Sequence, residues 1–172
     1  MIQQLKTCIM KKISILSTFL FAVVLTAQTE KGEVFLEANT GTLATGNTSF
    51  SLSASDGNTA WSVGLDGGYF VMDDLAIKAG LGYSDPGDFA DGTFVYKLGA
   101  KYYLDGIIPL GADFTGFSSD GFSASWFGLQ GGYAVFLGDN VAIEPSLRYN
   151  ISLDSDDANS VFQALVGFVI FL

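Results

Sequence analysis

The chain has 172 residues, enough for one domain, with 21 glycines, 3 prolines and only 15% charged residues, below the roughly 25% of ordinary globular chains. Eighteen acids against eight bases give a net charge of −10, which repels nucleic acid and anionic membrane faces. There is no histidine, and the single cysteine, Cys8, leaves no intrachain disulfide to form.

The first element reads as a secretory signal. Lys11 and Lys12 make a basic opening, Ile13 to Leu25 an apolar stretch, and Thr26-Ala27-Gln28 a small-residue cleavage site, with the cut expected after Ala27. The apolar stretch is 13 residues, short of the roughly 20 that span a bilayer as a helix. Met10-Lys11-Lys12 is a better signal opening than Met1-Ile2-Gln3, so Met10 stands as an alternative start. Lys6 and Thr7 give Cys8 no lipoprotein context. Removing residues 1–27 takes Lys6, Lys11 and Lys12 and no acid, which leaves a mature chain 28–172 with a net charge of −13.

Eight segments with period-two alternation follow, and such alternation predicts strands. In chain order they are 34–40, 61–69, 75–83, 94–102, 110–114, 127–133, 141–149 and 162–172. The connections at 72–74, 104–106 and 137–140 are short; those at 41–60, 84–92, 117–123 and 152–160 are longer and polar. Short turns at one end and long loops at the other describe an up-and-down antiparallel sheet, and eight strands suffice to close it. Pro145 in the seventh segment removes a ladder donor and predicts a local bulge.

The in-strand charges are Glu37, Asp66, Lys78, Lys97, Lys101, Asp113, Glu144 and Arg148, four acids and four bases on one parity of the alternation. The other parity is apolar, so the sheet has one apolar and one charge-balanced face. A soluble ligand-carrying barrel would put the apolar face inside; a membrane barrel would put it outside. Three features favour the second. The apolar parity carries rings such as Trp61, Tyr83, Phe94, Tyr102 and Tyr149, too bulky for an eight-stranded lumen, whereas the charged parity carries Gly64, Gly80, Gly99 and Gly128. The rings sit at strand ends, where membrane girdles lie. Matched acids and bases suit an occluded interior, because unpaired buried charge is costly. Hairpin spacing places Lys97 almost opposite Asp113 and makes Asp66 and Lys78 near-diagonal neighbours, which predicts a continuous salt-bridge ladder that plugs the lumen.

The fold class expected is therefore all-β, a closed up-and-down antiparallel eight-stranded transmembrane β-barrel. The chain resembles the small outer-membrane barrels of the OmpA transmembrane domain and OmpX group. The resemblance is carried by the signal peptide, the hairpin Gly68 to Ile77, the strand end Gly99-Ala100-Lys101-Tyr102-Tyr103, and Glu144 to Tyr149. The last strand is similar to the assembly signal read by the barrel-insertion machinery, on Phe168, Ile170, Phe171 and Leu172, although it ends on leucine instead of an aromatic residue. The resemblance implies localisation in the cell outer membrane, with outer-membrane lipid, lipopolysaccharide and the barrel-assembly machinery as partners.

Catalysis is not expected. Barrel enzymes of this size class use a histidine as general base, and none is present. Asp154-Ser155-Asp156-Asp157-Ala158-Asn159 lacks the glycine and glutamate of a calcium loop, since Asn159 and Leu165 stand at those places. No cofactor, metal or nucleic acid is expected, and the chain is expected to be monomeric. The function expected is a non-enzymatic barrel with a structural or surface-contact role through acidic loops holding Asp56, Asp85, Asp88, Asp91, Asp120, Asp154, Asp156 and Asp157. A narrow pore and a soluble secreted barrel binding a small apolar ligand are the rivals. Thr48 to Ser55, with Phe50 and Leu52 between serines, is expected to be a solvated loop; the rival reading is a strand extension whose sheet edge binds a surface ligand.

Overall fold

Alternation of apolar with small or polar residues favours extended chain. The computed structural model accordingly forms ten strands and no α-helix among its described residues, which are 29–41, 50–55, 58–85, 87, 91–153 and 158–172. The expected signal segment lies outside the described residues, as do Thr48, Ser49 and residues 154–157 of the acidic loop. The strands are β1 (Val34–Asn39), β2 (Ser51–Ser55), β3 (Asn58–Met72), β4 (Leu75–Asp85), β5 (Thr93–Leu104), β6 (Ile108–Ser119), β7 (Phe122–Gly132), β8 (Val135–Phe136), β9 (Val141–Ser152) and β10 (Val161–Phe171).

All pairings are antiparallel between neighbours, and β1 pairs with both β10 and β3, which closes the sheet. β8 continues β7, because Val135↔Ile143 extends the register of Gly132↔Ser146. The interruption between them falls at Tyr133, whose N–H donates to the Pro145 carbonyl (3.1 Å) but which receives nothing back, because proline has no N–H. The barrel wall thus has eight staves, with β2 alongside β3. The bulge expected at Pro145 is absent: the β9–β10 ladder passes it in unbroken register as Val166↔Pro145. Its missing donor faces the break in β7–β8 instead.

The stagger of the barrel follows from the register. A path across the strands from Val161 passes Asn150, Gly128, Asp113, Gly99, Lys78, Gly68 and Phe35, and returns to β10 at Phe171, ten residues on. At ~3.3 Å per residue and ~4.8 Å between eight strands, that stagger tilts the staves by roughly 40°.

Three expected connections are shorter or different. Residues 117–123 are not a long loop: β6 and β7 run to Ser119 and Phe122 around the two-residue turn Asp120-Gly121. Gly121 takes a left-handed φ of 79°, as an Asp-Gly hairpin requires, and the Phe117 and Phe122 rings meet at 5.5 Å. Part of the expected loop 41–60 is strand, since β2 pairs with the first residues of β3 from Ser51↔Ser62 to Ser55↔Asn58. The β5–β6 turn is Asp105 to Ile107, with Leu104↔Ile108 closing it.

The pleat turns one parity inward. Glu37, Asp66, Lys78, Lys97, Lys101, Asp113, Glu144 and Arg148 are all buried, whereas Leu65, Ile77, Leu81, Leu98, Leu129 and Leu147 are exposed on the outer wall. The exposed rings form two belts. Tyr69, Tyr102 and Tyr133 lie towards the short-turn end; Trp61, Tyr83, Phe94, Phe127, Tyr149 and Phe162 lie towards the other.

Candidate functional site

The barrel interior is the candidate site, and its contents are layered. At the short-turn end the floor is aromatic. Phe35 (β1), Phe70 (β3), Tyr103 (β5) and Phe171 (β10) are buried together, with ring centroids 5.7–6.4 Å apart, and Phe136 (β8) closes on Phe171 at 5.7 Å. These rings share the parity of the charges, at strand ends where sequence reading placed only outward aromatics. Phe35 stands two residues before Glu37 and Tyr103 two after Lys101. Carrying the alternation through to the strand ends would have found both.

Above the floor sits a first charge cluster. The Lys101 ammonium donates to Glu37 Oε2 (2.8 Å) and Glu144 Oε2 (2.5 Å). The Tyr103 hydroxyl donates to Glu144 Oε1 (2.8 Å), and Asn39 Nδ2 donates to Glu37 Oε1 (3.0 Å). Lys101 also lies 5.2 Å and 5.1 Å from the Phe35 and Tyr103 ring centroids, a cation–π contact that seats the cluster on the floor. Formally the cluster carries −1.

A second cluster lies above it. Asp66 Oδ2 accepts from Lys97 (3.1 Å) and Lys78 (3.5 Å). Arg148 holds Asp113 bidentately, through Nη2 at 2.6 Å and Nη1 at 2.7 Å, the geometry that makes guanidinium–carboxylate pairs strong. Lys78 stands 4.0 Å from Asp113 and links the two halves. Amides complete the shell: Arg148 Nε donates to Asn150 Oδ1 (2.7 Å), Asn150 to Gln163 (2.9 Å), and Gln130 to Ser146 (3.1 Å). This cluster carries +1, so the two neutralise one another. Further up, the Trp126 indole donates to the Asn159 carbonyl (3.0 Å) and packs at a tilt against the Phe117 ring, with centroids 5.7 Å apart.

Glycines set which charges meet. Asp66 and Lys97 stand on staves separated by β4, and the residue between them is Gly80. Gly99 lies between Lys78 and Asp113 in the same way. Gly128 on β7 leaves the space through which Arg148 reaches Asp113, and a Cβ there would collide with the guanidinium. Long side chains therefore bridge across bare staves, not only between neighbours.

Two expectations about the pairing are corrected. Lys97 is not opposite Asp113: its partner is Thr115, and Asp113 faces Gly99. The turn is centred on Gly106, one residue later than the sequence suggested, and that shift moves the opposing residue by two. The salt bridges within 4.0 Å also fall into two groups instead of one continuous ladder, with Lys78 of the upper group coupled electrostatically to Glu37 of the lower. The four residues of the C-terminal signal part company as well, since Phe168, Ile170 and Leu172 are exposed on the outer wall while Phe171 is in the floor. Two shallow grooves lie on the apolar wall, and none of the eight charged side chains lines either.

Among solved structures the chain is similar to the N-terminal β-barrel domain of Pseudomonas aeruginosa OprF, with a TM-score of 0.55 and 17% identity over 83% of this chain and 98% of that one. It is also similar to the Yersinia pestis outer-membrane protein Ail, with a TM-score of 0.45 and 13% identity over 83% of this chain and all of that one. No protein-family model and no curated protein matches the sequence. The chain has the fold of the small outer-membrane β-barrels.

Proposed function

We propose that this protein is a non-enzymatic integral barrel of the cell outer membrane, with a plugged polar lumen and a structural or surface-contact role at its acidic end. The observation that carries this reading is the inversion of burial. Eight charged side chains lie inside the wall while Leu81 and Leu98 on its outside are each 61% exposed. A continuous exposed apolar band of this kind is costly in water and suits lipid. The two aromatic belts bound that band as girdles do at membrane interfaces. The end with the 72–74, 105–107 and 137–140 turns then faces the periplasm, and the opposite end, which carries Asp85, Asp91 and the two-residue turn at Asp120, faces the exterior.

The plug reading is supported by the aromatic floor and the two mutually neutralising clusters, in a barrel whose width just accommodates side chains. The carboxylates accept hydrogen bonds from cations, the Tyr103 hydroxyl and amides, which suits scaffolding. Lipopolysaccharide and the barrel-assembly machinery are proposed partners, the latter through Phe168, Ile170 and Leu172 on the outer wall of the last strand. Heat-modifiability tests the reading: membrane fractionation should recover the protein with the outer membrane, and the unboiled form should migrate differently from the boiled form on a detergent gel. A soluble protein with unshifted migration would overturn it.

A further inference from the structure

β2 stands on the same edge of β3 as β1 does, one beyond the other. β1 pairs with Asp66 to Tyr69 and β2 with Asn58 to Ser62. β2 therefore fills the upper part of the first stave, which β1 leaves at Asn39. Its register puts Leu52 beside Trp61, whose ring lies 5.7 Å from Tyr83, and Tyr83 pairs with Phe94. All four belong to the outward parity. Continuing the register by one pair sets Phe50 beside Val63, also outward. Leu52 and Phe50 are 71% and 72% exposed, among the highest values for large apolar side chains in the described residues. Along consecutive strands the outward row at this level is Phe50, Val63, Tyr83 and Phe94, and Leu52 stands one step above it beside Trp61, whose own partner on β4 is Asp85.

We propose that β2 is a membrane-seated segment, with Phe50 and Leu52 resting in outer-leaflet lipid at the depth of the upper girdle. This rests on the membrane reading above, and it replaces an adhesive strand projecting into solvent. Continuity with the girdle argues for lipid as the occupant: the outward neighbour of Leu52 is Trp61, an interfacial residue type. Depth also fits the backbone. A strand with an open edge is not tolerated in hydrocarbon, but at the girdle its edge meets headgroups and water.

Nitroxide scanning in lipid vesicles tests this in the full chain with Cys8→Ser, since Cys8 is the only native thiol. Labels at Leu52→Cys, Leu65→Cys in the mid-belt and Asp120→Cys in the β6–β7 turn are compared for collision with oxygen and with a water-soluble nickel chelate. The expected oxygen-to-nickel ratio at Leu52 is several-fold above that at Asp120 and close to that of a label at Trp61→Cys. A ratio at Leu52 equal to that at Asp120, with Leu65 still shielded from nickel, would overturn the proposal and leave the membrane reading standing. Nickel access at Leu65 would overturn the membrane reading itself. Spin–spin broadening between Leu52 labels would mean that a second copy covers β2, and it would also overturn the lipid assignment.

Discussion

Arg148 is the largest fully buried side chain among the described residues, and both of its terminal nitrogens bond Asp113. Its contribution is to keep that carboxylate compensated in a place water does not reach. Replacing it by methionine leaves Asp113 with Lys78 at 4.0 Å as its nearest cation. Arg148→Met should therefore destabilise the barrel by about 3–5 kcal/mol, the usual cost of orphaning one member of a buried pair. The pair is neutral as a unit, so Arg148→Met with Asp113→Leu should recover most of the loss, because removing both charges together is often nearly neutral. Urea unfolding in lipid vesicles measures both variants. A double variant as unstable as the single one would show that shape at Arg148, and not charge pairing, sets its contribution.

The last strand shows how one element serves two environments. β10 turns Phe168 to the outer wall and Phe171 into the aromatic floor, three residues apart and on opposite faces of the pleat. Phe171 touches Phe35, Phe70, Tyr103 and Phe136, so truncating it opens a cavity among rings that cannot all collapse. Phe171→Ala is expected to cost about 3–5 kcal/mol. Phe168→Ala should cost clearly less, since lipid closes over the missing ring and no void remains. Unfolding midpoints of the two variants in one lipid provide the comparison, and equal losses would mean that the floor is not packed as described. The floor itself depends on β1, because Gly68 on β3 is the small residue that admits the Phe35 ring.

At the scale of the molecule, stagger and charge act together. A stagger of ten residues over eight staves brings the lower cluster, formally −1, beneath the upper, formally +1. Neither cluster is balanced alone. Both are stacked on the aromatic floor at the short-turn end, in line with the plugged lumen proposed above. Planar-bilayer recording of the reconstituted protein is therefore expected to show no steady, large conductance. Sustained openings of that kind would contradict a plugged lumen and favour a narrow pore.

Much of this was legible from alternation, because the pleat is local: a residue's parity fixes its face of the sheet whatever the rest of the chain does. The eight charges, the inward glycines and the outward leucines all follow from that rule, which is why Glu37 and Arg148 could be placed on one face from sequence. What parity cannot supply is register. One residue's difference in the centre of the β5–β6 turn moved Lys97 from Asp113 to Thr115, and the bridge it makes instead, to Asp66 across Gly80, joins staves that are not neighbours. The hairpin at Asp120-Gly121 was concealed by serines, which read as loop although they continue both strands. β2 was concealed by the same composition. The sequence by itself determined an all-β chain with one apolar and one charge-balanced face. Only the tertiary structure decided which acid meets which base, and that Phe35, Phe70, Tyr103 and Phe171 pack together at one end. Those outcomes depend on stagger, which accumulates around the closed barrel and belongs to no single segment.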